Sequence, residues 1–256
     1  MNAKMIFVLV DGLSEAVAKE KMGFMKLYTE EGIARHTVLQ CELPSLSRPL
    51  YHTLMTGLKP SEHAVLTNIN RSKPRSKTLF DHVAAAGGQS AAAAYHWFSE
   101  LYLHGFDNSF KHRFRLNGDA PIHHGIFYYE DHYPDTHLFM DADFLIEQFQ
   151  PNFIVVHSMN VDDAGHRLDA VGYGHAVRKI DGILAHFVPA WLKKGYQVVV
   201  TSDHGMGTDG AHGGDCNLER EVPFWFIGPQ STVLPKVQTE CYAFVLENFG
   251  LGGNHA

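Results

Sequence analysis

Short stretches of this chain hold oxygen and imidazole side chains at spacings that suit metal chemistry. Thr201-Ser202-Asp203-His204-Gly205-Met206-Gly207, followed by Ala211-His212-Gly213-Gly214, puts one carboxylate and two imidazoles on a tight glycine-rich loop. Such a loop also arises as a turn whose polar side chains bond only backbone, but a second histidine on it favours ligation. In Asn160-Val161-Asp162-Asp163-Ala164-Gly165-His166, Asp162 and His166 are four residues apart, a workable spacing for two ligands on one loop or turn. The alternative there is an Asp-capped helix start with a bystander histidine. Asp11, followed by Gly12, is either a ligand or a turn former. Mixed oxygen and imidazole donors suit zinc or manganese, whereas an all-oxygen cage suits magnesium or calcium.

A hydroxyl stands out in Leu43-Pro44-Ser45-Leu46-Ser47-Arg48-Pro49-Leu50. Ser47 opens an expected helix with Pro49 in its first turn and Gly57 just past its end. A serine at that position serves either as the helix cap or as a nucleophile whose developing charge faces free backbone N–H groups and the helix dipole.

The elements that must position these groups are readable as apolar runs. Met5 to Val10, Phe153 to His157 and Gly195 to Val200 each read as a buried strand running into one of the stretches above. Further strands are expected at Thr37 to Cys41, Gln89 to Tyr95 and Val222 to Pro229, with Pro223 tolerated at the last strand's start. Helices are expected at Glu15 to Tyr28 (capped by Ser14), Thr78 to Ala86, Thr136 to Phe149, Ala176 to Leu192 and Cys241 to Phe249. This alternation predicts an α/β fold, a mostly parallel central sheet with helices on both faces. From His96 to Tyr133 the pattern breaks into aromatics and irregularly spaced histidines, including His104, His112, His123, His124 and His132. That segment, 96–133, reads as a small cap or insertion within a single domain of 1–256. Arg71, Lys73, Arg75 and Lys77 make an exposed basic loop, either simply solvated or in contact with an anionic substrate.

With 256 residues, the chain is long enough for one sizeable core. Its 45% hydrophobic and 19% charged residues are ordinary for a soluble globular protein. A formal net charge of −7 argues against a nucleic-acid scaffold. Cys41, Cys216 and Cys241 are odd in number and scattered, so no disulfide framework is implied. No signal-peptide core precedes the first strand and no run is long enough to span a bilayer, so a cytoplasmic protein is expected.

In their order, Val10-Asp11-Gly12, Pro44-Ser45-Leu46-Ser47, Asp162-Asp163-Ala164-Gly165-His166, Ser202-Asp203-His204-Gly205-Met206 and Ala211-His212-Gly213-Gly214 resemble the alkaline phosphatase superfamily. The closer likeness is to its type I phosphodiesterase/nucleotide pyrophosphatase branch, from Val10 to about Pro229. The resemblance implies two divalent metal ions, zinc ahead of manganese. Asp162, His166 and His212 would hold one, and Asp11, Asp203 and His204 the other. It implies Ser47 as nucleophile and as a further ligand of the second ion, with Ser45 an outside candidate. Arg48 is a candidate substrate contact because it adjoins Ser47.

What the resemblance implies about activity is hydrolysis of a phosphodiester or nucleotide pyrophosphate through a phosphoseryl intermediate, on a small phosphorylated substrate. Phosphomonoester or phosphonate hydrolysis and phosphoryl transfer to an alcohol are the alternatives among enzymes; an inactive metal-binding homologue is the alternative outside them. Leu50 stands where nucleotide pyrophosphatases usually carry an asparagine, so another donor must supply that contact or the substrate differs. The short interval from His204 to His212 is closer to the ethanolamine-phosphate transferase branch.

Overall fold

The apolar runs become the strands of one eight-stranded sheet: β1 (Met5–Val10), β2 (Arg35–Gln40), β3 (Ser90–Tyr95), β4 (Phe114–Arg115), β5 (His124–Tyr128), β6 (Phe153–Ser158), β7 (Gln197–Thr201) and β8 (Glu221–Ile227). The computed structural model describes residues 1–252 except 71–75, 104, 107–109, 120, 168 and 230–232. Arg71, Lys73 and Arg75 of the basic loop, and His104, therefore lie outside the described residues. The spatial order is β2-β8-β7-β1-β6-β3-β5-β4. β7, β1, β6, β3 and β5 run parallel. β8 is antiparallel to β7 and β2, and β4 to β5.

Successive β1 residues point to opposite faces, and both faces are covered. Ile6, Val8 and Val10 pack with Val177, Ile180 and Leu184 of the long helix Ala170–Lys193. Met5, Phe7 and Leu9 pack with Leu54, Phe80 and Val245 on the other side. Burial on both faces is why these strands read as continuous apolar runs without alternation. Pro223 is accommodated inside the sheet because it pairs only with Val38 of β2, and the ladder to β7 begins one residue later, at Phe224.

Several expectations need correction. The helix expected over Glu15 to Tyr28 is two helices, Glu15–Lys21 and Gly23–Glu30, broken at Met22. The second is started from outside: Asp181 accepts hydrogen bonds from the N–H groups of Phe24 and Met25, satisfying donors that a helix N-terminus leaves free. Ser14 occupies the cap position of the first without a side-chain capping bond. The 96–133 segment is not wholly a cap, because its residues 124–128 are β5, paired with β3 as the last strand of the parallel set. The stretch after β6 is the helix Asn160–His166, not a loop.

Under the sheet, His52 and His63 face each other with ring centroids 4.7 Å apart, both buried. The N–H of Val65 donates to His63 Nδ1 at 3.1 Å, and His52 Nε2 has no hydrogen-bond partner among the described residues. Burial pushes His52 down to about 3 and His63 down to about 4 from 6.5. Both stay neutral in the fold while the unfolded chain protonates below about pH 6.5, so stability falls as pH drops through that value. Between pH 7.5 and 5.5 the pair is expected to remove about 2–3 kcal/mol of unfolding free energy. Urea titrations with chelator at both pH values, on wild type and on a His52→Leu/His63→Leu variant, check this by difference; the same pH dependence in the two proteins contradicts it.

Candidate metal centre

β1, β6 and β7 are parallel neighbours, so their carboxyl ends lie side by side, where parallel sheets open their ligand crevices. Asp11 follows β1 directly, tied to β6 by its N–H to Ser158 O at 2.9 Å. Gly12 adopts φ +72°, and a Cβ there would lie 2.8 Å from Asp162 Cα, so only glycine allows this approach. Asp162 and His166 are one turn apart on a single helix face, with His166 Nε2 3.2 Å from Asp162 Oδ2. Asp203 and His204 leave the end of β7. His212 arrives on the following loop, which Ser45 clamps: its hydroxyl accepts from Gly213 N–H at 2.9 Å and donates to Gly214 O at 2.7 Å.

These residues form two groups, Asp162/His166/His212 and Asp11/Asp203/His204, each with its ligand atoms within 4.8 Å of one another. His204 and His212 stack with centroids 3.7 Å apart, setting the groups side by side. Ser47, the first residue of the buried helix Ser47–Thr56, brings its Oγ to 3.0 Å from His204 Nε2. Its hydroxyl is thus turned to the cluster, and the cap position belongs to Leu46.

The histidines share one arrangement. Nδ1 faces a backbone carbonyl in each: Gly210 O at 2.8 Å for His166, Gly205 O at 2.9 Å for His204 and Ser45 O at 2.9 Å for His212. A carbonyl only accepts, so Nδ1 carries a proton in each and Nε2 is the atom turned inward. This outer hydrogen bond is what metal-ligating histidines generally make.

The carboxylates are equally constrained. Asp11 Oδ1, Asp162 Oδ1 and Asp203 Oδ2 are buried with no hydrogen-bond partner among the described residues. Burial, then the charges of Asp203 and Asp162, pushes Asp11 well above the usual carboxylate range. Burial and then the Asp162 charge push Asp203 up to about 7. Burial opposes the charge of Asp162 too, but the hydrogen bond from His166 and the neighbouring imidazoles hold it below its ordinary value. The same bond raises His166 to about 9. Three orphaned carboxylate oxygens beside three imidazole Nε2 atoms fit a cation: it would take the place of the proton that His166 shares with Asp162, satisfy these atoms together and offset the crowding of like charges.

Two expectations fall away. Arg48 is not available to substrate as a free cation: its buried guanidinium donates to Glu100 Oε2 at 2.6 Å and Asn70 O at 2.9 Å, and lies over the Trp97 ring. Ser45 is buried and committed to the His212 loop, which makes it a poor nucleophile. Leu50 is fully buried in the core and presents no donor.

Sequence reasoning misses other residues at this site. Asn68 accepts from the N–H of Arg48 at 3.0 Å, which places its side chain over the helix N-terminus beside Ser47. Its amide nitrogen makes no hydrogen bond among the described residues. Tyr51 and His157 both reach Asp11 Oδ2. In sequence these look like core or loop residues; the only hint is that Tyr51 lies four residues after Ser47 and so shares its helix face.

The profile of the Type I phosphodiesterase / nucleotide pyrophosphatase family matches residues 5–213, and the chain belongs to that family. Among solved structures it resembles murine ectonucleotide pyrophosphatase / phosphodiesterase 5 with a TM-score of 0.74 at 13% identity, covering 99% of this chain and 97% of that one. It also resembles TAB5 alkaline phosphatase, in a mutant form with magnesium bound, with a TM-score of 0.66 at 13% identity and 98% of each chain covered. The fold is that of the alkaline phosphatase superfamily. The chain is 22% identical over 239 residues to the catalytic subunit of human GPI ethanolamine phosphate transferase 2. The match covers 88% of this chain and only 23% of that protein. No helix among the described residues is long and apolar enough to cross a membrane.

Proposed function

We propose that this protein is a two-metal hydrolase of phosphodiester or nucleotide pyrophosphate bonds, working through a phosphoseryl intermediate on Ser47 and built as a single domain of 1–256. The observation that carries the reading is the convergence of Asp11, Asp162, Asp203, His166, His204 and His212, with the imidazole Nε2 atoms turned inward, beside the hydroxyl of Ser47. Zinc suits three imidazole nitrogens with carboxylate oxygens, and manganese is the second choice. A pair of divalent ions held there would favour the serine alkoxide and neutralise the phosphoryl oxygens.

The chain's own residues supply the rest. Ser47 Oγ attacks phosphorus from the N-terminus of a ten-residue helix, whose dipole favours the anionic transition state. The bond from phosphorus to the ester oxygen breaks opposite, and that oxygen leaves as an alcohol or nucleotide. Water then cleaves the Ser47–phosphate bond, restoring the hydroxyl and releasing phosphate or its monoester. Asn68 stands where its amide nitrogen can donate to a phosphoryl oxygen, the contact that Leu50 lacks. Asn68→Ala is expected to lower kcat about 10²-fold or more, the loss typical of one such donor. Unchanged kcat removes Asn68 from that role.

The similarity to an ethanolamine phosphate transferase supports a second reading, phosphoryl-group transfer to an alcohol. One experiment separates these outcomes. The zinc-loaded protein is given a bis-aryl phosphate, a mono-aryl phosphate, and the bis-aryl ester with ethanolamine present. Preferred turnover of the diester supports hydrolysis of diesters; an aryl phosphoethanolamine product, with one aryl alcohol released, supports transfer; preferred monoester turnover selects a phosphatase. No turnover with ions bound marks an inactive homologue.

A further inference from the structure

We propose that Tyr51 and His157 are positioning residues for Asp11, holding its carboxylate so that Oδ1 alone faces the ligand cluster. The inference rests on the reading that Asp11, Asp203 and His204 hold a divalent ion. It adds how one of those ligands is aimed, and by which elements.

Asp11, Tyr51 and His157 are all fully buried. Tyr51 donates its phenolic hydroxyl to Asp11 Oδ2. His157 Nε2 lies 3.2 Å from the same oxygen. The direction of that second bond is settled at the other side of the ring, where His157 Nδ1 faces the N–H of Tyr95 at 3.4 Å. Nδ1 must accept there, so the proton sits on Nε2 and is donated to Asp11. Oδ2 thus receives two neutral donors and is withdrawn from ligation. Oδ1 has no hydrogen-bond partner among the described residues and lies 3.3 Å from His204 Nε2, inside the cluster.

The geometry is rigid because both rings are packed. Tyr51 and His157 meet edge to face at 4.7 Å, and Phe98 lies 5.2 Å from each of them. Three elements converge on one carboxylate: β1 carries it, β6 supplies His157, and the Ser47–Thr56 helix supplies Tyr51. That helix presents Ser47 to His204 and, one turn later, Tyr51 to Asp11. The group proposed as nucleophile and the group that aims a metal ligand are therefore set by the same rigid body. Two uncharged donors orient the carboxylate while leaving its charge for the ion, the outer-shell device by which ligating groups are tuned.

The test measures ion binding directly, on the full chain stripped with chelator and titrated with Co²⁺ or Zn²⁺. Wild type, Tyr51→Phe, His157→Leu and His157→Gln are compared, each also in an Asp162→Asn background that leaves the Asp11 group as the main site. Tyr51→Phe and His157→Leu are expected to weaken the ion at the Asp11 group about 10- to 100-fold. Each should shift that site's cobalt absorption band, while the other site stays within a few-fold of wild type. His157→Gln keeps an N–H near the Nε2 position and is expected to recover most of the affinity, which a role in packing alone would not predict. Wild type binding two ions while Tyr51→Phe and His157→Leu leave both affinities and the cobalt spectrum unchanged overturns this assignment and leaves the functional reading intact. A wild-type protein that takes up neither metal overturns both.

Discussion

Ser47→Ala is expected to lower turnover of a bis-aryl phosphate by about 10³-fold or more, the scale on which removal of a covalent nucleophile acts. Ser47 Oγ is the only hydroxyl described within hydrogen-bond distance of His204 Nε2, and it heads a helix whose dipole would favour a pentacoordinate phosphorus. The loss should fall on kcat, because the substitution leaves the three carboxylates and three imidazoles of the ion-binding cluster in place and so leaves ground-state binding largely intact. Fold should be retained: Ser47 is buried and small, and its hydroxyl makes no helix-capping bond. Rapid acid quench of the wild-type reaction should trap phosphate on the peptide containing Ser47, and the variant should trap none. Full turnover in Ser47→Ala would remove the serine from its role and leave direct attack by water.

Asp203→Asn should act in opposite directions on activity and on stability. For activity, replacing an anionic ligand with a neutral amide is expected to release one ion and lower turnover about 10³-fold. For stability of the stripped protein the sign reverses. Burial and the nearby Asp162 charge push Asp203 up to about 7, from 3.8. An acid whose pKa is raised on folding costs stability once pH exceeds the unfolded value, and the cost is full above the folded one. At pH 8 the asparagine variant should therefore be more stable than wild type in chelator, by on the order of 2–4 kcal/mol. Its amide would also offer a donor towards Asp11 Oδ1, which has none. The advantage should shrink as pH falls from 7 towards 4. Chemical denaturation across that range checks the prediction; an asparagine variant less stable than wild type at pH 8 in chelator contradicts it. Such opposition marks residues kept for chemistry at the expense of the fold.

Much of the site is legible in sequence because its signals are local. β1, β6 and β7 announce themselves as apolar runs, and Asp11, Asp203 and His204 sit at strand ends where a parallel sheet places ligands. Asp162 and His166 at a four-residue interval suit a helix face as well as a turn; the structure chooses the helix. What escapes the sequence is set by partners far along the chain. The break at Met22 depends on Asp181 satisfying the N–H groups of Phe24 and Met25. β5 hides among aromatics and histidines because His124, at its start, is buried in a stack on Phe149 at 3.8 Å. Arg48 looks like a substrate cation until Glu100, on another element, is seen to take it up. Asn68 is recognisable only once the fold carries its loop over the N-terminus of the Ser47–Thr56 helix.

The central claim is that three carboxylates, three imidazoles and one hydroxyl surround a pair of divalent ions. Its most direct test is the number of ions per chain, counted by elemental mass spectrometry after chelator stripping, zinc reloading and removal of excess. Two zinc ions per wild-type chain are predicted, falling to about one in an Asp203→Asn variant and about one in a His212→Ala variant. Less than a tenth of an ion per folded wild-type chain, with manganese tried in parallel, would contradict the account.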